Sequence, residues 1–183
     1  GETRVPLRSK EKPSGIHQIA LGVFLISLSL LMFEITLTRI FSVILTYHYA
    51  FIAISVALSG LGSGALFLQI LRKMLKLEIR ILGLLSILLP LTITLGILIL
   101  LKAPFDRSFL TYYLAAFVPF FLGGNIFALV FDQFTIHSSK LYSADLLGAS
   151  IGCLIAILAL EIFGGINAAL LAGILSALAA IPL

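Results

Sequence analysis

Only 11% of the 183 residues are charged, while 61% are hydrophobic and the mean hydropathy is +1.20. A soluble domain of this length runs nearer a quarter charged, so the excess apolar surface calls for lipid rather than a larger core, and a water-soluble enzyme is excluded. The net charge of +4 would suit nucleic acid, but the basic residues sit in short loops beside apolar runs, where they orient a membrane protein instead.

Residues 1–15 form a polar, basic tail with Arg4, Arg8, Lys10 and Lys12, interrupted by Pro6 and Pro13. A six-helix transmembrane domain is expected over residues 16–183, which makes the fold class an all-α, polytopic bundle. The first span, residues 16–45, is longer than the ~20 residues a bilayer needs, so it tilts, projects or breaks near its far end. It is also far longer than the apolar core of a signal peptide and is expected to stay in the membrane. Tyr47-His48-Tyr49 makes an aromatic turn. The second span, residues 50–71, carries Gly60 and Gly64 four residues apart, a spacing that lets another helix approach closely. Its Gly-rich stretch misses the dinucleotide-loop spacing and follows no soluble strand.

A basic connection with Arg72, Lys73, Lys76 and Arg80 leads into the third span, residues 81–101, where Pro90 removes a helix hydrogen bond. The fourth span, residues 109–131, carries Pro119 and Gly123-Gly124-Asn125. That combination is either a kinked packing helix or a discontinuity whose freed backbone lines a cavity. The fifth, residues 144–163, is preceded by Tyr142, holds a second small-residue pair at Gly148 and Gly152, and reaches Glu161 near its far end. Gly164-Gly165 turns the chain into a sixth span, residues 166–183. Nine Lys and Arg on one side against Lys102 and Arg107 on the other predict that both the N-terminus and the C-terminus are cytoplasmic, in the cell (inner) membrane.

Charges inside such spans cost roughly 2.5 to 3.5 kcal/mol each and normally find protein partners. Glu34 and Arg39 lie about 140° apart around a regular helix and do not share a face. Similar depth instead predicts an Arg39–Glu161 pair between the first and fifth spans. Glu34, with Thr38 one turn on, is either a proton- or cation-handling carboxyl or a buried group hydrogen-bonded to Thr, Tyr or Asn, with Asn125 a further intramembrane polar candidate. Asp145 in the first turn of the fifth helix, beside Ser143, reads as a cap favoured by the helix dipole or as a contact to a cytoplasmic domain. No metal site follows from His17, His48 and His137. The lone Cys153 excludes disulfides and cysteine clusters within the chain, and no nucleophile set with workable spacing is present.

Two stretches carry a resemblance. Phe33-Glu-Ile-Thr-Leu-Thr-Arg-Ile-Phe-Ser42 followed by Ala57-Leu-Ser-Gly-Leu-Gly-Ser-Gly64, and Leu141-Tyr-Ser-Ala-Asp-Leu-Leu-Gly-Ala149 with Pro119-Phe-Phe-Leu-Gly123, resemble the N-terminal membrane domain of the spermidine synthase-like integral membrane proteins. The resemblance implies that a cytoplasmic polyamine aminopropyltransferase domain follows the last helix and uses decarboxylated S-adenosylmethionine. The segment itself would need no cofactor and would act as an anchor or as a substrate- or product-handling module. Two rivals stand beside it. One is a non-catalytic accessory subunit docking on other membrane subunits, or on itself, through the Gly60/Gly64 and Gly148/Gly152 faces. The other is a six-helix half of a secondary transporter.

Overall fold

The computed structural model describes residues 13–44, 50–74, 80–102 and 109–183, and among these it is 97% helical with no strand. Helices α1 (Pro13–Ile44), α2 (Ala50–Met74), α3 (Arg80–Lys102) and α4 (Phe109–Gln133) are followed by a 3-10 turn, Thr135–His137, and by α5 (Ser138–Ala179). All five helices are long and apolar enough to cross a membrane. Continuous helix is what such a sequence must form in lipid, where each backbone N–H and C=O needs a partner within its own segment.

The same demand explains the serines and threonines in the spans. Thr36, Ser86 and Thr94 donate to the carbonyls of Met32, Leu82 and Pro90, each one turn back, at 2.8 Å. Their hydroxyls are thus satisfied inside their own helices and mark no polar path.

Helix α5 is two arms. Gly164 adopts φ 77° and ψ 173°, a backbone conformation that residues with a Cβ rarely take, and the helix direction reverses there. Before the break Gly148 lies on Phe24 and Gly152 on Leu28, so the first arm runs parallel to α1. After it the chain passes Ile40 at Gly165 and ends with the Leu183 side chain against Gly22, so the second arm runs back along α1. Helix α4 is antiparallel to α1, with Leu30 at Gly123 and the Phe33 and Phe120 rings 5.6 Å apart. Helix α2 is parallel to α4. The carboxyl end of α3 reaches the Gly164 turn, where Ile97, Leu100 and Leu101 share a cavity with Gly165 and Ile166.

Helices α1 and α4 form the centre: 56% of the spanning window of each is buried, against 22% for α5. Phe33, Phe41, Met32 and Leu37 of α1 and Phe120, Ile126 and Leu129 of α4 are almost wholly enclosed. Exposed leucines and isoleucines cover the outer faces of α2, α3 and α5, as expected of helices that face acyl chains.

Of the two readings of α4 the packing helix holds: it stays helical through Pro119 and Gly123-Gly124-Asn125, with Gly123 and Gly124 in close approach to Leu30 and Leu61, and the break lies at Gly164, where the Gly164-Gly165 turn is expected. Two expectations need revision. Helix α5 begins at Ser138, not near residue 144, because the polar run 138–143 contains neither Pro nor Gly to stop it. Asp145 is therefore the eighth residue of its helix and not in the first turn, and Ser143 donates back to the Ser139 carbonyl instead of capping.

Candidate functional site

The polar groups of the bundle fall into three places. The first is the α1–α5 seam. Ser27 of α1 donates to Oδ1 of Asp145, 118 positions away, while also reaching the Val23 carbonyl. Close approach makes this possible, because Gly148 and Gly152 present no side chain and the backbone of α1 at Phe24 and Leu28 lies directly on them. Glu34 stands seven residues beyond Ser27, two turns along nearly the same face, and is half-buried. Thr38 donates to the Glu34 backbone carbonyl at 2.9 Å, so its hydroxyl satisfies the helix and not the carboxylate. Among the described residues no ion pair is formed to Glu34. Tyr142, one turn before Asp145, is exposed.

The second place is the α2–α4 interface, where the Ser59 and Tyr113 hydroxyls meet at 3.3 Å. Gly60 meets the Cβ of Phe120, Gly64 meets the Phe121 carbonyl, and Gly124 meets the Leu61 carbonyl. Buried Asn125 donates to the Phe121 carbonyl at 2.7 Å, within its own helix. Where the two helices end, Arg72 forms an ion pair with Asp132. Beside it, Oε1 of Gln133 is buried without a hydrogen-bond partner. Phe67, Phe121, Phe117 and Tyr113 make a ladder of rings 5.5 to 5.9 Å apart along this interface.

The third is the Gly164 end, where Arg39 and Glu161 both lie. They come to the same end of the bundle, and Leu160 shares a cavity with Arg39, but the expected Arg39–Glu161 ion pair is not formed. Both side chains are exposed: Arg39 leans over the groove between α1, α3 and the Gly164 turn, and Glu161 is not among the residues that line it. Equal depth placed them at one level without placing them on facing sides.

Tyr47-His48-Tyr49 and the basic residues of the tail lie outside the described residues. His17 is exposed, His137 and Cys153 are half-buried, and among the described residues no three His, Cys, Asp or Glu side chains gather. Two contacts lie beyond what the sequence predicts, the Ser27–Asp145 hydrogen bond and the Arg72–Asp132 ion pair, since only the packing of the helices brings their partners together.

These features define a polytopic α-helical membrane protein whose polar contacts are few, each placed where a pair of helices meets or ends. The chain matches no protein-family model, no curated protein and no solved structure.

Proposed function

We propose that the chain is the membrane domain of a spermidine synthase-like protein, a six-span bundle with both ends in the cytoplasm that anchors the protein and handles substrate or product without catalysing by itself. The observation that supports this reading is the packing of its two motif-bearing stretches. The Tyr142-x-x-Asp145-x-x-Gly148-Ala149 segment lies along the helix that carries the Glu34…Thr38-Arg39 pattern, with Asp145 bonded to Ser27 and Gly148 on Phe24. The six-span count rests on the reversal at Gly164, and the orientation on the nine-to-two distribution of Lys and Arg. In this arrangement the Ser27–Asp145 contact and the start of α5 face the cytoplasmic side, and Glu34 is the carboxylate within the membrane that a cationic polyamine would meet.

The half-transporter reading draws no support from α4, whose Pro/Gly stretch is unbroken. An accessory subunit would have to dock on faces other than the Gly60/Gly64 and Gly148/Gly152 pairs, because α4 and α1 of the same chain already occupy them.

The test is to purify the protein from its native membranes, measure intact masses of all chains present, and assay aminopropyl transfer from decarboxylated S-adenosylmethionine to putrescine. The expected result is an aminopropyltransferase-type segment, fused or bound, with that activity. A native preparation with neither segment nor activity overturns the proposal.

A further inference from the structure

The Gly164 end of the bundle contains a groove of about 380 Å³ whose walls are aliphatic: Val43 of α1, Ile97 and Leu101 of α3, Leu160 and Ile166 of α5. Among the described residues its one charged lining residue is Arg39. Arg39 lies five residues before the end of α1, about 7.5 Å along the axis, so its long side chain can keep an apolar stem in the groove and lift the guanidinium toward the water boundary. That guanidinium has no acidic partner among the described residues, although Glu161 is at the same end. Lys102, the last residue of α3, is exposed at that end and directly follows Leu101 of the groove wall. The groove is thus a slot for hydrocarbon with two cations at its rim and a planar, five-donor fork suited to a phosphate diester.

From this we infer that the groove holds one acyl chain of an anionic phospholipid, whose headgroup phosphate is bound by Arg39 with support from Lys102. The reversal at Gly164 shapes the site. Gly164 and Gly165 line the groove, and a Cβ at Gly165 would meet only the Ile40 side chain, at 3.4 Å. Arg39 lies 12 residues beyond Ser27 along α1, and lipid retention at this groove can be read separately from any aminopropyl transfer.

The test uses the full chain in detergent with phosphatidylglycerol and phosphatidylcholine of identical acyl chains, read by native mass spectrometry. Wild type is expected to retain phosphatidylglycerol preferentially. Arg39→Gln should lose roughly fivefold of that preference, the weight of one basic residue against an anionic membrane surface, while Arg39→Lys keeps most of it. Equal retention of the two lipids by wild type, or an unchanged preference in Arg39→Gln, overturns the inference. Should Arg39→Gln fail to fold, a second measurement decides. The chain contains no Trp, so Val43→Trp, at a position 74% exposed, places a single fluorophore on the groove wall. Stronger quenching by brominated phosphatidylglycerol than by brominated phosphatidylcholine supports the site, and equal quenching overturns it.

Discussion

The bundle contains two parallel helix pairs that come together through glycine, and they do so differently. Between α2 and α4 the glycines are reciprocal: Gly60 and Gly64 admit the backbone of α4, and Gly124 admits the backbone of α2. Between α1 and the first arm of α5 they are one-sided, since Gly148 and Gly152 admit α1 and α1 offers only its carbonyls at Phe24 and Leu28. The polar contacts differ in the same sense. The α1–α5 pair is joined within its length by Ser27 and the half-buried Asp145, and the α2–α4 pair by the exposed Ser59–Tyr113 hydroxyl contact and by Arg72 and Asp132 at its exposed end. In lipid, where apolar surface gives helices no preference for each other, shape must carry association. Along its length the α2–α4 pair adds to shape only the exposed Ser59–Tyr113 hydroxyl contact at 3.3 Å. The α1–α5 pair adds the more enclosed Ser27–Asp145 hydrogen bond, which fixes the axial register of α5 on α1.

The contrast can be broken hardest at Gly124. A Cβ there overlaps the Leu61 carbonyl, and backbone cannot step aside as a side chain can. Gly124→Val is expected to cost about 3 kcal/mol or more, seen as a lower unfolding temperature in detergent or as lost accumulation. Gly123→Ala, one residue away, meets only the flexible end of Leu30 and should cost about 1 kcal/mol or less. Equal effects of the two would deny that backbone contact, and not volume, sets the α2–α4 interface. A smaller effect is expected from Ser27→Ala, about 0.6 kcal/mol and at most roughly 1.7, the range for hydrogen bonds between membrane helices. A double-mutant cycle with Asp145→Ala reads it directly, and zero coupling would remove the proposed registering role. The smallest is Arg72→Gln. Its partner Asp132 is 62% exposed, so the loss should be roughly 0.2 to 1 kcal/mol and shrink in high salt. A salt-independent loss would place the pair in a drier setting than its exposure implies.

Composition and periodicity located the helices well. The starts of α2 at Ala50 and α4 at Phe109 fall where the apolar runs begin, because charge and polarity mark where a span meets water. The start of α5 was misjudged because Ser138 to Tyr142 are polar yet fully compatible with helix, and polarity reports solvent, not backbone geometry. The glycine pairs showed that close approach would occur without showing to what, since a small face has no complementary code in the partner's sequence. The Arg39–Glu161 expectation failed for a related reason. Counting residues gives depth along a helix, whereas the facing angle depends on rotation, which packing elsewhere on α1 decides. Ser27–Asp145 joins a common serine to an aspartate already given another role, and only the three-dimensional arrangement of α1 and α5 brings the two together.

That contact also sets a timetable. Of these five helices α1 is made before the others and its most extensive partner, α5, after them; 118 positions separate Ser27 from Asp145. At roughly 5 to 20 residues per second, synthesis leaves α1 without that partner for about 6 to 24 s. During this interval the surface that will receive Gly148 and Gly152 faces lipid or the insertion machinery, and Ser27 has only its own Val23 carbonyl to bond. The α2–α4 pair, closer in sequence, can assemble while α5 is still on the ribosome. The nascent bundle is therefore a wedge with one side open, and the arrival of α5 closes it.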